Sequence, residues 1–457
     1  MDTPKNENEC NEIIIDITNV KEPTQWRPEC CIYKVPKRLR EVQKEAYTPK
    51  LISIGPVHRH SKELNLEDVE MLKLKYFKEF FDRTSKVQKD FADIVEENKG
   101  KIRHCYEAGI KMPDDKAFKE MILLDSIFII ELFLRTATRE EDEKDYILSK
   151  PWLEDGIKQD LILLENQLPF FILDELYHHF ARSTTGITKC FLTLAWNYFF
   201  PDHKKITIDQ KEVKHFTDLQ RYFYCPPNLK TGKIIEHLYS ATKLNEAGLK
   251  FQKWEEKKLE HTCYSKKKEE EEHKCLLDLK IKKRCPCFNC SWILHCLPCL
   301  KFFSCLKRMR TCLVVPRFVV DYKTEDLFRN LMALEQCHYP SHAYICNYIL
   351  LLDFLINTKE DVELLVEKKI LVNWLGSNEA VATMVNKLGQ EIVEKNSCYH
   401  EIATKLNGHY DNCWNHNMAS LKTVYFRDIG RGTATVVGII VLFVTVGNFL
   451  RPFLMKK

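Results

Sequence analysis

Apolar residues along the chain recur mostly at helical spacing. From Leu64 onward, Met71, Leu72, Tyr76 and Phe80 follow one another at steps that suit one helix face, and charged residues occupy the opposite face. This pattern is typical of an amphipathic helix that packs an apolar stripe against a core. The sequence therefore predicts helices as the main elements, beginning near residue 64.

Two segments are apolar almost all round. Residues 118–135 (FKEMILLDSIFIIELFLR) predict a helix inside the core, and residues 156–177 predict a second buried helix that contains Pro169. Because proline has no backbone N–H, it must kink this helix and free a carbonyl. Asn166 and Gln167 lie one turn before the kink, so we expect their side chains to satisfy backbone groups there.

Helical patterning also covers residues 187–251 and 325–421. Thr358 and Asp361 have the spacing of a capping box at the start of a helix. Prolines divide the segment 28–57 into pieces that are long enough only for short extended structure. The predicted fold class is mainly α: a multi-helix globular domain with a few short strands and a C-terminal transmembrane helix.

The transmembrane prediction rests on residues 433–450, which carry no charge over 18 positions. As a helix they would extend about 27 Å, close to the roughly 30 Å of a bilayer's hydrocarbon core. Basic residues flank the stretch on both sides, where they can reach lipid headgroups. We predict a single-pass span, with a buried core helix as the alternative. Its marker positions are Thr433, Val437, Ile440, Phe443 and Leu450.

The predicted organisation has four parts. A loose segment covers residues 1–27, and a mostly helical domain covers 28–425, interrupted by a charged and cysteine-rich insertion at 263–312. The span at 433–450 and a short basic tail at 451–457 follow. The first twenty residues carry no secretory pattern, so the sequence predicts a tail anchor, with the lipid bilayer as a partner and the large domain in the cytosol.

Composition narrows the choice of function classes. The chain has 69 Lys and Arg against 65 Asp and Glu, which gives a net charge of +4. This balance offers no basic stripe, so we predict no nucleic-acid partner. Nineteen cysteines in a chain of this length favour a reducing compartment. Only 14 glycines are present and no nucleotide, metalloprotease or serine-hydrolase motif occurs, so the sequence predicts no cofactor.

The cysteine-rich insertion is the most distinctive local feature. Its spacings include C-x-C-x-x-C and C-x-x-C, which are compatible with tetrahedral zinc, although the interval between them is short. Apolar side chains between the cysteines, with flanking lysines and arginines, also suit a loop on a membrane surface that is open to acylation. An inert hydrophobic insertion is the third interpretation. The weak metal candidates are Cys285, Cys287, Cys290, Cys296 and Cys299.

Three carboxylates lie on otherwise apolar segments. Asp125, Glu131 and Glu165 could have raised pKa values and act as general acids or bases if they converged in an open pocket. The structural interpretation is that each is paired with a cation or a backbone amide and fixes the packing. The structural interpretation is favoured, so we predict no catalytic residues.

Five ordered blocks resemble the plant family called domain of unknown function 247. The most specific block is Asp160-Leu161 with residues 163–171 (LLENQLPFF), and the match covers roughly residues 30–425. The other blocks include Cys31-Ile32-Tyr33, residues 53–56 (SIGP), Met121 to Asp125, Ser240-Ala241-Thr242, and Arg329-Asn330-Leu331 with Ala333 to Gln336.

The resemblance implies a plant membrane protein with no assigned enzyme activity. Some relatives are associated with self-incompatibility in grasses, which implies recognition or signalling by protein contact. Two features depart from the family pattern: the cysteine-rich insertion between residues 281 and 314, and the absence of an aromatic-Pro-Trp pattern before residue 433. The leading hypothesis is a membrane-anchored, non-enzymatic protein that contacts an unidentified protein partner. The alternatives are an enzyme that uses buried carboxylates and a metal-dependent module at the insertion.

Overall fold

The computed structural model supports a description of most of the chain, and every structural statement below concerns that part alone. The described residues are 27–59, 67–138, 145–182, 190–203, 212–225, 229–254, 276–282, 311–412, 415, 417 and 429–454.

Helices dominate the described residues, as the periodicity predicts. In chain order, α1 to α9 are Lys37–Val42, Glu67–Thr84, Gln88–His104, Asp115–Thr138, Pro151–Asp160, Phe170–Arg182, Phe191–Phe199, Phe216–Tyr224 and Ala241–Glu246. The remaining helices, α10 to α15, are Thr324–His338, Tyr344–Leu355, Lys359–Glu367, Asn378–Leu388, His400–Tyr410 and Ile429–Leu454. A short 3₁₀ helix, Lys44–Tyr47, follows α1.

Five short strands form two small sheets. The strands β1 to β5 are Lys250–Lys253, Lys280–Lys282, Cys312–Val315, Phe318–Val320 and Leu371–Asn373. In the first sheet β3 is central, parallel to β1 and antiparallel to β2. In the second, β4 and β5 run parallel, with Phe318 opposite Leu371 and Val320 opposite Asn373. These elements confirm the prediction of a mainly helical fold with a few short strands.

Two large hydrophobic clusters divide the described residues. The N-terminal core is built from side chains between Cys31 and Leu219, and the C-terminal core from side chains between Ile235 and Leu406. A small third cluster places Val35, Tyr47 and Leu164 against Leu334 of α10. The long helix α4 is buried on nearly all sides, as its apolar sequence predicts, and α2 packs along it.

The helix predicted over residues 156–177 is broken into two helices. α5 ends at Asp160, α6 begins at Phe170, and an irregular loop at 161–169 joins them. Proline accounts for the restart, because its missing N–H is harmless immediately before a helix. The break itself comes from side chains that replace the helical hydrogen bonds, as described below.

The capping box predicted from the sequence is present at α12. Thr358 and Asp361 exchange the reciprocal side-chain and backbone hydrogen bonds that define the motif. The local spacing was sufficient to predict this element because both partners lie within one helical turn.

The transmembrane part of the predicted fold class was wrong, and so was the single-pass membrane localisation. In the part of the chain that the structure describes, no helix has both the length and the apolar character needed to cross a membrane. The prediction rested on the uncharged run at 433–450 and on its length as a helix. Of the marker residues, Thr433, Val437, Ile440 and Phe443 lie on the exposed part of α15, and Leu450 lies near its end.

Candidate functional site

Three of the sequence blocks, at residues 53–56, 121–125 and 160–171, meet around an irregular segment, residues 50–55, that runs between α4 and the loop 161–169. This segment forms no strand in the described structure, so its amides need partners from side chains. Asp160, Asn166 and Asp125 supply those partners in chain order. These three blocks therefore converge on one buried polar arrangement.

Asp160 receives the first amides of the segment. Its carboxylate accepts hydrogen bonds from the N–H groups of Lys50 (2.9 Å), Leu51 (2.6 Å) and Ile52 (2.8 Å). Burial raises the pKa of Asp160 to about 6, while these three amides act in the opposite direction. Both carboxylate oxygens of Asp160 therefore accept hydrogen bonds from the backbone.

Asn166 and Gln167 satisfy backbone groups, as expected, but they do so in a loop instead of a kinked helix. The Asn166 amide donates to the carbonyls of Ile52 and Asp160, each at 2.9 Å, and its oxygen accepts from Ile54 N–H at 2.7 Å. Gln167 donates to two carbonyls of its own loop and accepts from Phe216 N–H at 2.9 Å. Side chains that bond the local backbone compete with helical hydrogen bonds, which explains the break.

Gly55 ends the segment in a conformation that favours glycine. Its φ is +70°, and a Cβ built there would lie 2.6 Å from the carbonyl oxygen of Gln167. The Tyr106 hydroxyl donates to the same carbonyl at 3.0 Å. Residue 55 therefore has to be glycine for the segment to approach the loop this closely.

Asp125 forms a buried ion pair with Lys73 of α2. Both side chains are 1% exposed, and Lys73 Nζ lies 2.8 Å from Asp125 Oδ1. The second oxygen accepts from Gly55 N–H at 2.9 Å, and Lys73 also donates to the Ser53 carbonyl and to Glu70. Burial raises the pKa of Asp125, and the neighbouring ammonium opposes that rise.

Glu165 ties the loop to the N-terminal segment. One oxygen accepts from Val35 N–H at 2.8 Å, and the other forms an ion pair with Arg40 and lies 3.0 Å from His58 Nε2. Burial acts to raise the pKa of Glu165, but His58, Arg40 and the amide outweigh it and hold that pKa below its ordinary value. Glu165 is accordingly a charged structural anchor.

Glu131 belongs to a separate network at the other end of α4. Its oxygens accept from Arg83 at 2.5 Å and from Arg135 at 2.8 Å. Arg135 also pairs with Glu79 and Asp145 and lies 4.3 Å above the Tyr76 ring. The carboxylate is completely buried but fully paired.

A further polar cluster joins the two cores. Arg221 of α8 pairs with the buried Glu335 of α10 at 3.0 Å and lies 4.0 Å over the Tyr339 ring. Asp218 accepts from the Tyr339 hydroxyl at 2.9 Å, and burial raises its pKa to about 6. Asn330 bridges the same regions, donating to the Ala46 carbonyl and accepting from Leu164 N–H.

The three carboxylates weighed as acid–base candidates therefore belong to different, occupied networks. Asp125, Glu131 and Glu165 are at most 3% exposed and each carboxylate oxygen has a partner. The enzyme hypothesis required them to converge in an open pocket, and they do not share one. Sequence analysis missed Lys73, the partner of Asp125, and Arg221, the partner of Glu335, because no local signal marks a lysine or arginine as buried.

The predicted metal candidates cannot be placed. Cys285, Cys287, Cys290, Cys296 and Cys299 lie outside the described residues. Among the residues that are described, no group of three or more potential ligands could hold a metal ion.

An open cavity lies at the carboxyl ends of β4 and β5. It has a volume of about 410 Å³ and is lined by Asp321, Tyr322, Glu325, Leu375, Ser377, Glu379, Ala380, Thr383, Met384 and Lys387. Because the two strands are parallel, both lead into this edge, and each is followed by a helix that starts there. Tyr322 and the adjacent Trp374 are both 69% exposed.

The fold and its buried network define a mainly helical domain in which three of the sequence blocks surround the segment 50–55. The family model for DUF247, described as a plant protein of unknown function, matches residues 32–444. The chain belongs to this family, so the predicted resemblance is confirmed.

Two curated relatives come from Arabidopsis thaliana. The chain is 27% identical over 400 residues to UPF0481 protein At3g47200, which covers 80% of this chain and 74% of that protein. It is 27% identical over 219 residues to putative UPF0481 protein At3g02645, covering 45% and 39% respectively. No solved structure matches the chain.

Proposed function

We propose that this protein is a non-enzymatic recognition protein that acts by binding another protein. The observation that carries the proposal is the open cavity at the ends of β4 and β5, with Tyr322 exposed in its lining and Trp374 exposed immediately after β5. Large aromatic side chains are enriched at protein-binding sites because they bury much area with little loss of conformational freedom.

The buried polar networks also support this function, because they stabilise the framework that carries the cavity. Asp125, Glu131 and Glu165 serve the backbone or neighbouring cations, and these roles leave a stable framework that presents the surface. A binding site on a rigid framework loses less entropy when the partner docks. The alternative, an enzyme that uses a buried carboxylate, would require a substrate to displace these partners.

Proximity labelling in plant cells tests the proposal. The full chain, the Tyr322→Ala/Trp374→Ala double variant and a Tyr146→Ala control are compared, since Tyr146 is also exposed but does not line the cavity. We expect a protein enriched by the full chain and the control and lost with the double variant. The purified pair should then form a stoichiometric complex.

Two results would contradict the proposal. One is a partner set that no surface substitution changes. The other is turnover of a small molecule that survives the double substitution and disappears in a folded Glu165→Gln variant, which would favour the enzyme.

A further inference from the structure

We propose that the cavity at the ends of β4 and β5 binds a basic side chain, arginine or lysine, from an extended segment of the partner protein. This inference rests on the proposed function, because it specifies the chemistry of the partner at that same site. Three observations support it. They are the exposed aromatic residues Tyr322 and Trp374, the net charge of the cavity lining, and the capped N-termini of the helices α10 and α13.

The first observation concerns the contacts that position Tyr322 and Trp374. The Tyr322 hydroxyl donates to Asp155 Oδ2 at 3.0 Å, and Lys323 pairs with the other oxygen of Asp155. The ring is thus anchored at its hydroxyl and the residue is 69% exposed, with the Lys323 ammonium 5.3 Å from the ring centroid. The backbone N–H of Trp374 donates to the Val320 carbonyl at 2.8 Å, which places this residue at the end of the other strand with its side chain exposed. Fixed, exposed aromatic faces attract cations.

The second observation is the sign of the charge. The lining contains three carboxylates, Asp321, Glu325 and Glu379, against one ammonium, Lys387, so the difference is two negative charges. Glu325 is paired with Arg329. No ion pair of the described residues includes Glu379, which is exposed on the first turn of α13. A cationic side chain would give it a counter-charge.

The third observation concerns the helices that begin at the cavity, α10 and α13. Helix N-termini usually favour anions, through free N–H groups and the helix dipole. Here Asp321 accepts from Lys323 N–H and the Thr324 hydroxyl, and Ser377 caps Ala380 N–H. The ordinary preference for acidic residues in first turns explains Glu325 and Glu379, but it does not explain the exposed Tyr322 and Trp374.

The size of the cavity suits a side chain with some flanking backbone. Its volume of about 410 Å³ falls at the lower end of the range for small-molecule sites, roughly 300–1,000 Å³. The cavity is open, so a continuous peptide can cross it. Leu375 and Met384 offer apolar surface for the aliphatic part of an arginine or lysine.

Fluorescence anisotropy with short labelled peptides tests the inference on the full chain. The probes are Gly/Ser peptides that carry paired arginines, paired lysines, paired citrullines or paired glutamates. Citrulline keeps the shape of arginine without its charge. We expect the basic peptides to bind and the citrulline peptide to bind about ten-fold more weakly, as the loss of a cation–π contact and a charge interaction requires.

Three variants sharpen the result. Tyr322→Ala/Trp374→Ala should weaken binding of the arginine peptide by about ten-fold or more, and Glu379→Gln by roughly three-fold. Lys387→Gln is the decisive variant, because removing the only lining ammonium should strengthen binding of a cation and weaken binding of an anion. Added salt should weaken binding of the basic peptide.

The outcomes separate this inference from the function on which it rests. If the glutamate peptide binds better than the arginine peptide, or Lys387→Gln weakens basic peptides, the inference is wrong. If basic peptides do not bind but a protein partner is still lost with the double variant, recognition stands and only the cationic chemistry fails. If neither depends on Tyr322 and Trp374, both proposals fail.

Discussion

Among the residues that the structure describes, the ion pairs buried inside a single core lie in the N-terminal core, although Asp160 there accepts backbone amides and Glu335 pairs with Arg221 between the two cores. In the N-terminal core, Asp125 and Glu131 face cations, with Lys73 and Asp125 each 1% exposed. In the C-terminal core, Asp361 accepts hydrogen bonds from the N–H groups of Thr242 and Thr358 instead. Within the described residues, ion pairs formed between two residues of the C-terminal half are local and have a partly or fully exposed partner.

This difference indicates which half of the protein loses more stability when a single side chain is replaced. A buried cation that loses its partner stays charged in a medium that cannot solvate it, whereas an unpaired amide costs much less. The N-terminal half should therefore respond more steeply to single substitutions. The C-terminal half, which carries the cavity, should accept changes more easily.

The largest effect should follow from Asp125→Ala. This change leaves the Lys73 ammonium and the Gly55 amide without their partner, which should lower the free energy of unfolding by about 3–5 kcal/mol. Urea denaturation measures it. Asp115→Ala, which removes exposed ion pairs with Lys99 and Arg103, is the matched control and should cause a much smaller loss. A small loss for Asp125→Ala would mean that water reaches the pair.

Gly55→Ala should have the next largest effect. The left-handed φ of +70° and the close carbonyl of Gln167 together should cost about 2–3 kcal/mol. Gly100→Ala in α3, where nothing lies within 4 Å of the added methyl group, should instead stabilise the protein by about 0.5–1 kcal/mol. Equal effects at the two glycines would show that the segment 50–55 is not held as described.

Asp361→Ala tests the C-terminal half of the comparison. It removes the capping box of α12 and the partner of Thr242, so we expect a loss of about 2 kcal/mol, below that of Asp125→Ala. Thermal unfolding of both variants under one condition checks the order. If the order reverses, the cation is not the source of the difference between the cores.

The smallest effect is a pH dependence at the junction of α8 with the N-terminal segment. Burial lowers the pKa of His215 to about 3, from an unfolded value of about 6.5. Between these values the unfolded chain binds more protons, so this residue makes stability rise with pH and fall on acidification. His215 accepts from Asp218 N–H, and its other nitrogen lies 3.0 Å from the Cys31 carbonyl.

His215→Asn keeps a helix-capping oxygen but does not titrate. The stability advantage of the natural protein over this variant should shrink by about 1 kcal/mol between about pH 7 and pH 5.5. Asp160 and Asp218, with pKa values raised to about 6, act in the opposite direction but are present in both proteins. A difference that does not change with pH would place a charged imidazole in the core.

Local patterns predicted the elements whose partners lie nearby in the chain. The all-round apolar run of α4 and the Thr358–Asp361 box were confirmed because a helix satisfies its own backbone within four residues. The break at 161–169 was missed because the competing partners, Ile52 and Phe216, come from distant parts of the chain.

The site was harder to predict for the same reason. Lys73 falls among the polar positions of α2, and only the placement of α4 decides that it is buried beside Asp125. Tyr322 and Trp374 resemble core residues by type, and their exposure follows from where two parallel strands end. The membrane prediction, which was based on an uncharged run of 18 residues, was wrong for the residues that the structure describes.

The register of β2 and β3 has a consequence for how members of this family can differ in length. Lys282 and Cys312 are direct partners across the two antiparallel strands, so the chain leaves and re-enters the sheet at neighbouring points. A segment joining such points can grow or shrink without moving the strands, and each doubling of its length costs only about 0.6 kcal/mol in closure entropy. Evolution can therefore add or remove sequence here, including cysteines, while selection on the domain's core stays unchanged.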